Sequence, residues 1–155
     1  MWGAFSFRPS LEHVAFAGMD ELPEWEPGTA GVLCVAGPHV IPVSTAVRAG
    51  PDRLLFALGG RRETLARLRE DPAAAWCVLC AGLAFTAYGR ASVLREGLDD
   101  APKLAVVELA VERVQDHLAD GRTDLLSAPG WRWRDSETAR ADEGVRAELA
   151  RLAAG

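Results

Sequence analysis

The chain lacks any run of about 18 or more apolar residues, so it predicts no membrane-spanning helix. Its first residues, MWGAFSFRPSLEH, have no basic stretch followed by a long apolar one, so they do not read as a secretory signal. Cysteine is scarce. Three residues, an odd number, argue against a disulfide framework and point to a reducing cytoplasm. Positive charge is outnumbered, with Lys+Arg 17 against Asp+Glu 22 and a formal net charge of -5. A surface of that sign repels phosphate backbones, so neither nucleic acid nor a membrane is expected as a partner. Low-complexity tracts and internal repeats are absent, as are the GxSxG, HExxH and GxxxxGK[ST] signatures. Cys77 and Cys80 form a CxxC by letter only. Three positions apart on a strand, they point to opposite faces, and no second ligand pair completes a metal site. His13, His39 and His117 are scattered, with no catalytic pattern around them.

What is present suits one globular domain. The 155 residues are 49% hydrophobic and 25% charged. Short helical periodicity over 10–18 is capped by Ser10, and Pro23, Pro27 and Gly28 mark a loop. Apolar runs over 30–36, 39–48, 53–58 and 73–81 read as strands, the first continuous enough to suggest burial on both faces, broken by Gly37-Pro38, by the AGPD turn and by Gly59-Gly60. Strict alternation over 84–94 and 104–114 predicts two longer strands with one wet face each, Glu108 and Glu112 facing solvent and His117 following as a surface or loop residue. Residues 135–154 predict a C-terminal helix capped by Asp135 or Ser136, with Val145, Leu149 and Leu152 as its apolar stripe. The pattern is mainly β: a six-stranded antiparallel barrel, one helix after the third strand and helices at both ends. A parallel sheet would need a helix after nearly every strand.

Two segments carry candidate chemistry. The first is GGRRETLARLREDP, 59–72. In one reading Leu65 and Leu68 pack inward and the charges face water. In the other, Gly59 and Gly60 admit a ligand close to backbone amides, Arg61 and Arg62 present guanidinium forks, and Thr64 adds a hydroxyl at a helix N-terminus. Two arginines in a helix's first turn would oppose its dipole, and an anion would relieve that conflict. The second segment is Trp131-Arg132-Trp133-Arg134. Interleaved tryptophan and arginine can clamp a planar anion, form a protein contact, or fasten the C-terminal helix to the barrel.

The order of these pieces resembles the pyridoxamine 5'-phosphate oxidase-like superfamily of FMN-binding split barrels. The resemblance runs from a strand and Gly-Pro through PVSTAV, GPD, RLLFAL, RRETLARLREDP, AAAWCVL and AFTAYGRASVL, roughly residues 28–117. It implies a homodimer with flavin sites at the subunit interface. It also implies that Val43, Ser44 and Thr45 line the flavin ring, and that Ala57, Leu58, Gly59, Arg61, Arg62 and Thr64 lead to the phosphate. Trp131 and Trp133 would fall where a partner's C-terminal segment covers the ring. The usual Ser/Thr-Arg-Lys grip is here Arg-Arg-Glu-Thr, without lysine, and the C-terminal Arg-x-His substrate signature is missing. Oxidation of pyridoxamine phosphate itself is therefore not implied. The expectation is a flavin-dependent oxidoreductase using FMN or the deazaflavin F420. A non-enzymatic dimeric binding module and a dimer with an empty site stand as alternatives. No residue is assigned a catalytic role.

Overall fold

Residues with branched or aromatic side chains at alternate positions pack well on a pleated surface, and they shape most of this molecule. The computed structural model describes residues 18–155. Its elements are β1 (Gly18–Met19), β2 (Gly31–Val35), β3 (His39–Val43), β4 (Val47–Gly50), β5 (Arg53–Gly59), α1 (Glu63–Glu70), β6 (Ala73–Cys80), β7 (Leu83–Arg95), β8 (Leu104–Asp116) and α2 (Ser136–Ala154). The helix expected over 10–18 lies outside the described residues, except for Gly18, which opens β1.

The strands form one sheet in the order β3-β2-β6-β7-β8-β5-β4, with β1 added to β8. Every pairing is antiparallel. The sheet does not close by hydrogen bonds. Its two edges are β3 and β4, which are neighbours in the chain, so residues 44–46 span the gap covalently. This corrects the single strand expected over 39–48: it is two strands at opposite edges. With β1, the described residues hold eight strands rather than six. Pro42 lies on the edge strand β3, where a missing N–H is tolerated. Beyond it, side-chain hydrogen bonds compete with the ladder. Thr45 Oγ1 accepts the Ala57 amide at 3.1 Å, and Ser44 Oγ donates to Asp142 Oδ1 at 3.3 Å.

Inside the curled sheet, Leu33, Val35, Leu54, Phe56, Leu58, Trp76, Val78, Phe85 and Leu109 form the main core, closed by Leu65 and Leu68 of α1. Close approach requires glycine at several positions, Gly31 and Gly89 among them. A Cβ on Gly31 would enter the Trp76 ring, and one on Gly89 would meet the Ala110 carbonyl. A second core lies on the outer face, where α2 crosses β4 and β5. There Leu55, Ala57 and Val106 pack against Val145 and Leu149, with Leu98. Strand β5 is thus covered on both faces, which accounts for its unbroken RLLFAL. Full burial of one side chain such as Leu149 contributes about 1.5–3 kcal/mol.

Candidate functional site

Helix α1 begins one residue later than the dipole conflict requires. Arg62 is its N-cap, without a side-chain cap bond, and Glu63 occupies the first turn. An acidic residue there suits the helix dipole. The Arg67 guanidinium hydrogen-bonds the Glu63 carboxylate at 2.8 Å, and this bond, then its charge, hold the carboxyl below the usual carboxylate value. The conflict expected from arginines in the first turn therefore does not arise. Arg67 also donates to the Ala36 carbonyl, and Arg69 holds both oxygens of Glu96 at 2.7 and 2.9 Å. Those two arginines fasten α1 to the β2–β3 turn and to the end of β7.

Arg61 and Arg62 differ from them. Both are exposed, and neither has an ion-pair partner among the described residues. They line a cavity of about 670 Å³ with Gly59, Gly60, Pro102, Lys103, Leu104 and Glu96. Among the described residues the only carboxylate on that wall, Glu96, is already taken by Arg69. The cavity therefore carries a surplus of positive charge on a chain whose net charge is negative.

A second cavity, about 460 Å³, lies beside it between α2 and the β7–β8 loop, and Leu104 lines both. Thr45, Trp133, Arg140, Asp142 and Val145 are among its walls. Trp133 stands edge-on to Trp131, with ring centroids 5.3 Å apart, and the Trp131 indole N–H donates to the Gly28 carbonyl at 3.1 Å. Within one chain, then, the tryptophan segment reaches both the barrel and the cavity.

The residues expected at a cofactor divide accordingly. Gly59, Arg61 and Arg62 meet at the first cavity; Thr45 and Trp133 meet at the second. Val43 and Leu58 face the barrel interior, and Ala57 lies under α2. Ser44 is bonded to Asp142, which is buried and paired with Arg146 one helical turn on. Thr64 is buried, its hydroxyl 2.9 Å from His39 Nε2. It does not reach the cationic cavity. Sequence reasoning missed Lys103, His39 and Asp142. Their partners lie tens of residues away, and only the singular occurrence of lysine in the chain could have marked Lys103.

Among the described residues, the other cysteines, histidines and acids singled out in the sequence lie apart from one another. Cys80 packs toward the core, and burial pushes its thiol up; Cys77 sits across from Thr86 on the other face. His117 is bonded to Thr86 Oγ1 at 2.7 Å. Glu108 pairs with Arg53 at 2.8 Å. Among the described residues no group of His, Cys, Asp or Glu could hold a metal ion, and no helix is long and apolar enough to cross a membrane.

No protein-family model and no curated protein sequence matches the chain. Solved structures do. A protein from Lactobacillus delbrueckii provisionally named a pyridoxamine 5'-phosphate oxidase superposes with a TM-score of 0.54 at 18% identity, covering 65% of this chain and 98% of that one. The chain has the pyridoxamine 5'-phosphate oxidase-like split-barrel fold. An F420 reductase matches with a TM-score of 0.51 at 13% identity, over 61% of this chain and 98% of its own. A haem-binding protein from Mycobacterium smegmatis matches with a TM-score of 0.50 at 19% identity, over 65% of this chain and 53% of its own. Split barrels of this type thus serve different ligands, and the shared fold does not choose among them. The choice rests on the residues at the two cavities.

Those residues suit an anionic ligand with a planar part. Arginine forks and an ammonium match phosphate oxygens, and Trp133 offers an aromatic face beside the neighbouring space. Arg61 and Arg62 could hold such an anion, and Thr45 and Trp133 border the neighbouring space.

Proposed function

We propose that this protein binds a phosphorylated flavin-type cofactor, FMN or F420, and acts as an oxidoreductase on a small molecule other than pyridoxamine phosphate. The observation that carries the reading is the cavity lined by Arg61, Arg62 and Lys103, cations with no carboxylate partner among the described residues, joined at Leu104 to the space beside Trp133. The cofactor, once bound, supplies hydride or electron transfer. The chain's own residues supply binding and orientation. The cations fix the phosphate, the Gly59-Gly60 turn keeps the approach free of side chains, and Trp133 with the α2 wall shields the ring from water. Two copies of the chain belong to the proposal, with a segment of one copy helping to cover the ring held by the other.

One observation favours a second reading, a flavin carrier without turnover. The hydroxyls of Ser44, Thr45 and Thr64 are all engaged within the chain, which leaves none of them free to move a proton. The experiment is direct. The purified protein is titrated with FMN and F420, its absorbance is recorded, and the loaded protein is mixed with a nicotinamide donor and an acceptor. Flavin uptake followed by turnover is the expected result. Uptake without turnover selects the carrier, and failure to take up either cofactor removes both readings.

A further inference from the structure

The Ser/Thr-Arg-Lys grip that the family resemblance implies reads Arg61-Arg62-Glu63-Thr64 here, without a lysine. Glu63 is committed to Arg67, and Thr64 is buried against His39. Neither substitutes for a lysine. We infer that Lys103, brought in from the β7–β8 loop, is the third phosphate-binding cation of the site. The inference rests on the cofactor reading above.

Three observations carry it. Lys103 lines the same cavity as Arg61 and Arg62. It is the chain's only lysine among 17 basic residues, so the cavity holds a residue type used nowhere else. And its backbone is fixed against the arginine-bearing turn: the Gly60 amide donates to the Lys103 carbonyl at 2.9 Å, one step beyond the Gly59–Leu104 pair that ends the β5–β8 ladder.

The loop behind Lys103 is also held. The Leu98 amide donates to the Ala101 carbonyl at 3.3 Å, the Leu104 amide to the same carbonyl at 3.0 Å, and Leu98 is buried in the outer core. A Cβ on Gly97 would come within 2.8 Å of the Pro102 carbonyl, so the loop closes tightly on itself. The backbone of Lys103 is thus positioned in advance, and only its side chain must be ordered by a ligand, which limits the entropic cost of binding. Of the neighbouring acids, Glu96 is held by Arg69, Asp99 by Arg95, and Glu148 accepts the Asp99 amide, while Asp100 lines the adjoining cavity and forms no ion pair with Lys103. A phosphate monoester, with nearly two negative charges at neutral pH, is the group that three such donors suit.

A sole lysine allows a test that does not depend on activity. The full-length protein is treated with an amine-acetylating reagent alone, with FMN, with riboflavin and with inorganic phosphate, and the extent of modification at Lys103 is read by peptide mass spectrometry. In parallel, FMN and riboflavin are titrated into wild type, Lys103→Met and Lys103→Arg. FMN is expected to protect Lys103 and riboflavin is not. Lys103→Met should weaken FMN by roughly tenfold to a hundredfold, leave riboflavin unchanged, and be largely rescued by Lys103→Arg. Protection by phosphate as well as FMN would show that the anion alone engages the lysine, which supports the same assignment. If wild type binds FMN but Lys103→Met binds it equally well, or loses FMN and riboflavin alike, the assignment is overturned while the cofactor reading stands. If wild type binds no FMN, the cofactor reading falls and takes the assignment with it.

Discussion

Thr45 and Ala57 are joined by a hydrogen bond of 3.1 Å from the Ala57 amide to the Thr45 hydroxyl oxygen. That bond ties the segment crossing between the two open edges of the sheet to strand β5, beneath α2. It also places Thr45 on the wall of the cavity that holds Trp133. Closure of the barrel and construction of the site are thus linked through one side chain.

Replacing Thr45 by Val keeps the shape and removes the acceptor. The Ala57 amide is then left without its partner under α2, at a cost of about 1–3 kcal/mol. Thr45→Ser should recover most of the loss. Urea denaturation midpoints of the three proteins measure this. An unchanged midpoint in Thr45→Val would mean the bond does not hold the crossing segment.

Leu149 is fully buried between α2 and the outer face of β5 and β8. Leu149→Ala should cost about 2–5 kcal/mol, since the cavity it leaves is lined by strands that cannot collapse freely. Hydrogen exchange should speed up along α2 well before it does in β6 and β7, whose core lies inside the barrel. Uniform loss of protection across the sheet would contradict two separately packed cores.

The Glu63 carboxyl titrates below its ordinary value of 4.5, first because Arg67 hydrogen-bonds it and then because of that residue's charge and His39. A depressed carboxyl contributes stability above its unfolded value and loses it as pH falls through the folded one. Glu63→Gln should therefore lower stability slightly near neutrality and match wild type once the carboxylate is protonated. The pair is exposed, so salt should shrink the difference. Denaturation midpoints followed from neutral pH to below 4.5 check this. A gap that persists at the acid end would assign the effect to something other than the charge.

Much of this architecture was legible because neighbouring residues encode it. Alternation marks β7 and β8 as long strands, although residues 84–87 and 105–107 are buried on both faces rather than one, and Asp135 caps α2 by accepting the Thr138 amide at 2.7 Å. The run over 30–36, continuous enough to suggest burial on both faces, instead alternates in β2, with Val32 exposed. The break between β3 and β4 was not legible. PVSTAV stays apolar and β-branched enough to read as a continuous strand, and what interrupts it, Asp142 and the Ala57 amide, lies far away in the chain. The start of α1 was blurred for a similar reason. Gly59 and Gly60 belong to the end of a ladder with Leu104 and Lys103, which displaces the helix start to Glu63. The candidate site was half legible: Arg61 and Arg62 stand out as adjacent charges, whereas Lys103 joins them only through strand register.

Arg62 tests the central claim most directly, because it lines the cationic cavity and has no ion-pair partner among the described residues. The measurement is a paired equilibrium titration of wild type and Arg62→Ala with FMN and with riboflavin. The account predicts that wild type prefers FMN, and that Arg62→Ala loses roughly tenfold to a hundredfold in FMN affinity while riboflavin affinity barely moves. Equal losses for the two ligands, or a wild type that binds neither, would contradict it.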